Sequence, residues 1–570
     1  QAAYDALAGK TLAEIKADAT LKGYWDSLIG WWQTEPGEEL DFFVTSYTYP
    51  EVDFDTVGLF VGDNEYELVL VLDAPLAIFK DDGSLSYKAA YDFGGLPLVK
   101  KDLYEANKHE PASDGALWTT TYNTSLESSA SWGPYMVRSF DGDLECALMR
   151  NDNWYGYGMD KYKDQYQADK VIYSIVDSYE TAWQSFLAGD ITSIGLDVSV
   201  AADYKNSQRA VFTGDDYVGS LQLQSSAEAL KGRETEGIDK EMMTYVDFRK
   251  AISLAINRAD YTQKCTTASQ PCFGLFNEMH YYDVENAGVY RHEDVAKTVI
   301  CETYGIDPSD YASLDKAYAA VTGYDLTLAR SLVDKAYDEA IAAGTISETD
   351  NVVFTFGASV DNESTRRTFN YLKEAFETLA VGTKLEGRLT LELDASFGDR
   401  WAKSFRAGAY EICTGGWSGA AWDSGYLLMF YLDPSYMYSA AWDTSAVYLD
   451  YNPFQDGNAE NVITASLIEW WGLLNGDAEA IAKYGYDFSE GEVDNVIRLG
   501  IIAQLEGEIL EAGYAIPLYS HCSASLLSYQ VDYISTTYNA FVGFGGLRNL
   551  RFNYTDAEWE TVKGSHDYTV

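Results

Sequence analysis

Five histidines, His109, His280, His292, His521 and His566, are the scarcest chemistry-bearing residues in this chain. None stands in His-Glu-x-x-His or Cys-x-x-Cys company, the spacings that bring metal ligands onto one helix face or into one knuckle, so no metal is expected. His280 and His292 read as a pair on a surface loop rather than as ligands. No Gly-x-Ser-x-Gly elbow lifts a serine nucleophile out of a strand, and no Walker loop cradles phosphates. Gly543-Phe544-Gly545-Gly546-Leu547-Arg548 starts like a dinucleotide loop but places Arg548 where the last glycine belongs, and it reads as a turn. Paired carboxylates for glycoside hydrolysis can be drawn many ways from 89 acidic residues, whose separations are invisible in sequence. The chemistry therefore points to binding without catalysis and without a cofactor; a glycoside hydrolase is the distant alternative.

The most suggestive local feature is aromatic. Between Trp401 and Tyr431 the chain holds Trp401, Tyr410, Trp417 and Trp422, interrupted by Gly415-Gly416 and by Ser418-Gly419-Ala420-Ala421. Small residues around Trp417 let the backbone approach a ligand and leave the indole exposed on a loop. Tyr410 and Trp422 are candidate ligand contacts from this cluster alone, while Phe405 and Phe430 read as core. Asp423, ahead of Ser424-Gly425, is either a turn cap or a ligand carboxylate.

These residues need elements to hold them. Glu65–Leu72 alternates Tyr66, Leu68, Leu70 and Leu72 on one face and reads as a strand ended by Asp73-Ala74-Pro75. Tyr179, Ala182, Trp183, Phe186 and Leu187 fall at helical spacing between a cap at Asp177 or Ser178 and a stop at Gly189. Asp247 can cap a second helix with Phe248, Ile252, Ala255 and Ala259 near one stripe. A third runs through Leu332 and Ile341 to Gly344. Val352–Phe356 reads as a buried strand, followed by a helix marked by Phe369, Leu372, Phe376 and Leu379. Helix and strand alternate, so the fold class is α/β.

At 570 residues the chain exceeds one ordinary core and is expected to form two or three lobes. Its net charge of −49 disfavours nucleic acid and anionic membrane surfaces, which need clustered cations. No apolar run is long enough to span a bilayer. The first residues carry neither a signal-like segment nor a lipid-anchor cysteine. Cys146, Cys301, Cys413 and Cys522 read as buried small apolar residues, and Cys265 and Cys272 bound a loop that one disulfide could close. Asp81-Asp82 reads as a solvated turn rather than a calcium loop.

Several ordered segments resemble the family 5 extracellular solute-binding proteins, the oligopeptide-binding components of ABC importers. They are Glu65–Leu70 through Pro75 with Gly95-Leu96-Pro97-Leu98, then Trp132-Gly133-Pro134-Tyr135 through Arg150-Asn151-Asp152-Asn153-Trp154. Ala182–Ile191, Phe248–Arg258, and Glu508-Ile509-Leu510 through Ile516-Pro517-Leu518-Tyr519 follow. The resemblance implies a type II periplasmic-binding-protein-like fold with two lobes, a hinge and an additional subdomain. On that pattern residues 1–132 are a partial domain II, 133–235 part of lobe I and the hinge, 236–515 lobe III, and 516–570 a return to lobe I.

By the same resemblance the protein is an extracellular, cell-surface or periplasmic receptor, membrane-tethered in full length and monomeric. It would close over a short peptide or related small ligand and deliver it to an ABC transporter permease. Trp401 and Trp417 fall where the family has its cleft tryptophans. Two departures stand out: the family's N-terminal stretch has no counterpart here, and Ala420 occupies the place of the Asp that pairs with a peptide amine, leaving Asp423 as a substitute. A receptor or sensor for a non-peptide ligand such as a glycan is the alternative that follows.

Overall fold

The computed structural model describes the chain except for residues 1–5, 8–9, 11, 30–52, 65, 73–77, 81–82, 96–97, 111–117, 143, 420–422, 439–441, 536–542 and 570. It divides into two compact units, one formed mainly by residues up to Ile194 with Leu527–Asp567 and the other mainly by Gly195–Leu526. Among the described residues no helix is long and apolar enough to cross a membrane.

In the first unit Tyr135–Asp141, Glu145–Arg150 and Lys170–Ser174 form an antiparallel three-stranded sheet. Where the second strand ends, the Asn151 backbone N–H donates to the Pro134 carbonyl at 2.8 Å and its side-chain amide to the Gly133 carbonyl at 3.0 Å. Buried Trp154 seals that turn, its ring centroid 4.9 Å from Tyr157 and 5.1 Å from Tyr166. The two ends of this motif, far apart as words in the sequence, are thus one corner. The helix Tyr179–Ala188 has the expected limits: Ser178 Oγ accepts from the Thr181 N–H, and Gly189 stops the helix at φ +84°. Gly189 is doubly required, because a Cβ there would lie 2.6 Å from Lys563 Cβ. Its carbonyl accepts from the buried Trp559 indole N–H at 2.8 Å.

The Glu65–Leu72 expectation is corrected in extent and in burial. Only Leu68–Leu70 is strand, paired antiparallel with Leu59–Val61, and all three side chains are exposed. Glu65, Asp73-Ala74-Pro75, Asp81-Asp82 and Leu96-Pro97 lie outside the described residues.

The second unit is built on a mixed sheet. In order across it stand Ile238–Asp239, Asn351–Gly357, Ile412–Gly415, Ala210–Leu223, Ala515–Leu527 and Gln270–Pro271, with Leu389–Asp394 also paired to Asn351–Gly357. Asn351–Gly357 runs parallel to Leu389–Asp394 and Ile412–Gly415, whereas Ala210–Leu223 is antiparallel to its neighbours. One core packs Phe354, Phe356, Ile412 and Leu518 of this sheet against Phe248 and Ile252, Val333 and Ala336, and Leu372 and Phe376 from three helices. A second core gathers Ile300, Trp470, Leu473, Ile502 and Ile509 from three more.

The helices Leu326–Ala343 and Glu363–Ala380 match their apolar periodicity, the first ended by Gly344 at φ +73°. The Asp247 helix differs. It spans Val246–Ala255 with Tyr245 at the cap position, and Asp247 lies in its first turn, 2.5 Å from Lys335 Nζ. Ala259 belongs to the next helix, Arg258–Cys265, because Ile256 is extended and Asn257 Oδ1 accepts from the Asp260 N–H to start a new N-terminus.

His280 is a second correction. It is fully buried rather than on a surface loop, its Nδ1 is 3.0 Å from the Asn277 N–H, and burial holds its pKa down at about 3. His292 is exposed beside Glu278. Cys265 and Cys272 are separate buried thiols, Cys265 Sγ facing the Arg367 carbonyl and Cys272 Sγ the Gly274 carbonyl. Cys301 and Cys413 are buried as expected, but Cys146 and Cys522 are only half-buried.

Candidate ligand-binding site

A cavity of about 440 Å³ opens in the second unit where the parallel strands Asn351–Gly357 and Ile412–Gly415 end. Ligands of open α/β sheets are held outside the carboxyl ends of their strands, and this cavity has that position. Its floor is Phe356–Ser359 and Thr414–Gly416. Ser364, Thr365 and Thr368 come from the first turns of the helix Glu363–Ala380, started where Asn362 Oδ1 accepts from the Thr365 N–H at 2.9 Å. Tyr261, Cys265 and Thr266 come from the end of Arg258–Cys265.

Aromatic rings make the walls. Tyr261 stacks on Tyr519 with centroids 6.1 Å apart, and Tyr217 tilts against Tyr519 at 6.4 Å. Trp401 stacks on Tyr438 at 5.8 Å. Gly416 is the reason Tyr217 fits, since a Cβ at this position would meet the Val218 carbonyl oxygen at 2.4 Å and the Tyr217 ring at 2.7 Å. Burial raises the hydroxyl pKa of Tyr217, Tyr261 and Tyr519, pushes Tyr438 up to about 12, and does the same to the Cys265 thiol. Every titratable group on these walls is therefore neutral through the physiological range.

The residues expected from sequence fall in different places. Trp401 is half-buried and lines the cavity. Tyr410 does not line it: fully buried beside Phe405 and Cys413, it donates its hydroxyl proton to the Trp401 carbonyl and so supports the residue that does. Trp417 is half-buried, not an exposed loop indole. Its ring lies 4.4 Å from Phe430 at an interplanar angle of 9° and 4.9 Å from Tyr438, so it is joined to the cavity wall through Tyr438. The loop after it is tied down where the Gly419 N–H donates to Asp216 Oδ2 at 2.6 Å. Asp423 caps the helix Ser424–Leu427 by accepting from the Tyr426 N–H and stands 4.0 Å from Arg498 Nη2. Trp422 and Ala420 lie outside the described residues.

Sequence reasoning did not single out Tyr217, Tyr438 or Tyr519. Tyr519 stands in the quoted Ile-Pro-Leu-Tyr segment, and Tyr438 lies seven residues past the aromatic cluster; only strand pairing brings in Tyr217. Among the described residues one carboxylate group has metal-ligand proximity, Glu234, Asp239 and Glu241. Lys231 pairs with two of the three, 2.9 Å from Glu234 and 2.7 Å from Glu241.

No curated protein matches this sequence. The fold is similar to that of a periplasmic oligopeptide-binding protein, OppAIV, from Borrelia burgdorferi, at 16% identity and a TM-score of 0.52 over 93% of this chain and 81% of that one. Haemophilus influenzae OppA superposes at 14% identity and a TM-score of 0.50, over 87% of this chain and 75% of that one. The chain spans 63% of the length of an oligopeptide ABC transporter substrate-binding domain from Bacillus anthracis str. Ames, at 16% identity and a TM-score of 0.47 over 72% of this chain. At these identities the likeness to the Borrelia burgdorferi and Haemophilus influenzae proteins speaks for the fold alone, an α/β type II periplasmic-binding-protein-like architecture. The family described as bacterial extracellular solute-binding proteins, family 5 Middle, matches residues 63–439, well over half of the sequence. The chain belongs to the bacterial extracellular solute-binding proteins of family 5.

Proposed function

We propose that this protein is a receptor that captures a short peptide outside the cytoplasmic membrane and passes it to the permease of an ABC importer. The observation that carries the reading is the aromatic cavity beside Trp401 and Gly415-Gly416, at the strand ends of a family 5 chain. Flat rings give contact area at little cost in side-chain freedom, and hydroxyls beside them accept or donate without imposing charge, a combination that suits retention without reaction. Haemophilus influenzae OppA, which shares the fold, forms a complex with the peptide RPPGFSPFR. Trp401 lines the ligand wall, Trp417 backs it through Tyr438, Tyr410 holds the Trp401 carbonyl, and Trp422 and Asp423 are the remaining candidate ligand contacts. No bond is made or broken in this role.

Native mass spectrometry of the gently purified protein, followed by fragmentation of whatever denaturation releases, tests it. A ladder of short peptides is the expected result. A single non-peptide mass would overturn the peptide assignment and favour a sensor or importer of another solute.

A further inference from the structure

We infer that the cavity selects an uncharged aromatic side chain of the bound peptide, tyrosine or tryptophan ahead of lysine or glutamate. The inference rests on the peptide-receptor reading and adds a specificity to it. Charged residues make up 23% of the chain, yet among the described residues no Asp, Glu, Lys or Arg lines this cavity. A charged side chain entering it would give up water and find no counter-ion, a loss that neutral groups avoid. The same desolvation is visible in the wall itself, where burial disfavours the ionised forms of Tyr217, Tyr261, Tyr438 and Tyr519.

The shape fits a ring. Tyr261 and Tyr519 present one stacked pair and Trp401 and Tyr438 another, so an incoming ring meets aromatic faces and edges. About 440 Å³ accommodates that ring together with ordered water. Ser364, Thr365 and Thr368 line the polar side, where a phenol hydroxyl or indole N–H finds partners. That favours tyrosine and tryptophan over phenylalanine.

The test uses ligand-stripped, refolded protein and alanine pentapeptides carrying a single Tyr, Trp, Lys or Glu at each position in turn, with affinities read by calorimetry. Tyr and Trp should bind about ten- to a hundredfold more tightly than Lys or Glu at one position, the gain expected from burying a ring. Ser364 is exposed in a helix first turn, where an acid is tolerated, so Ser364→Asp keeps the fold and adds a counter-ion at the rim. In that variant the lysine peptide should gain about tenfold relative to the tyrosine peptide. Equal affinities across the series would overturn this inference while leaving the peptide reading intact. An aromatic preference unmoved by Ser364→Asp would overturn its assignment to this cavity. Absence of binding by every peptide, with circular dichroism showing a folded protein, would overturn both.

Discussion

Arg258 Nε donates to the Pro517 carbonyl oxygen at 2.6 Å. These residues belong to two family motifs more than 250 positions apart, the segment Phe248–Arg258 and the strand entry Ile516–Tyr519, and the bond fastens one to the other. The remaining guanidinium protons are used as well: Nη1 donates to the Gly323 carbonyl at 3.0 Å, and Nη2 donates to Ser253 Oγ at 2.9 Å and Tyr304 Oη at 3.1 Å. Arg249, on the preceding helix, plays a parallel part by donating to the carbonyls of Met243, Thr244 and Ala512. A planar five-donor fork can satisfy this many separated acceptors; an ammonium cannot. The segments that identify the family are thus the ones that fasten the sheet carrying Tyr519 to the helices behind it.

Replacing Arg258 should accordingly damage stability. Arg258→Met leaves the Pro517 and Gly323 carbonyls buried without this donor and is expected to cost about 3–5 kcal/mol. Arg258→Lys should recover less than half of that, because one ammonium cannot reach both sides of the network. Urea denaturation of both variants measures it, and an unchanged midpoint for Arg258→Met would show that the fork is dispensable.

Gly189 offers a sharper local test. Alanine there must adopt φ near +84° with its Cβ against Lys563. The left-handed conformation costs a non-glycine residue about 1–2 kcal/mol, to which the steric contact adds. Gly189→Ala is expected to lower the thermal midpoint. Ser178→Ala, at the other end of the same helix, removes only a cap worth about 1 kcal/mol. Finding the cap variant the more damaging of the two would contradict the close approach at Lys563.

What the sequence revealed and what it hid follow from the range of the forces involved. The helices ended by Gly189 and Gly344 were legible because caps and apolar stripes act within a few residues. The break at Ile256 was not, since Ala255 and Ala259 keep helical spacing while Asn257 competes for the backbone and starts a new helix. His280 looks polar and loop-bound in sequence, but its burial is set by Phe276 and Asn277 folding around it. The tryptophans of the site could be guessed from a local cluster. Tyr217 could not, because only the register that sets Val218 opposite Ser520 brings its strand beside Tyr519.

Asp239 makes the stability depend on pH. It is buried at 2% exposure, and desolvation, reinforced by the nearby Glu234, outweighs the N–H donors of Met242 and Glu241 and pushes its carboxyl up to about 7 from an ordinary 3.8. The folded state therefore holds a proton that the unfolded chain releases, so this group's contribution falls as pH rises from about 3.8 to about 7 and is flat beyond. Glu241, within 4.8 Å of it, pairs with Lys231, and both are unchanged in the comparison. Asp239→Asn should be progressively more stable than the parent across that window. A stability difference between the two proteins that stays constant from pH 4 to pH 7 would place the proton elsewhere.

Trp401 and Trp417 are separable by asking what each loses when truncated. Trp401 stacks on Tyr438 and faces the cavity, so Trp401→Ala should weaken ligand binding at least about tenfold, the scale of a lost aromatic anchor, with a modest change in stability. Trp417 lies flat on Phe430 and packs against the second core, so Trp417→Ala should also cost about 3 kcal/mol of stability through the space it leaves. Tyr410→Phe removes only the hydroxyl that holds the Trp401 carbonyl, and its expected loss is about fivefold in affinity, the equivalent of one hydrogen bond. Calorimetric titration and denaturation of the three variants distinguish the roles. If Trp401→Ala bound ligand as tightly as the parent while Trp417→Ala did not, the ligand wall would have to be moved from the strand-end cavity to the loop beyond Gly416.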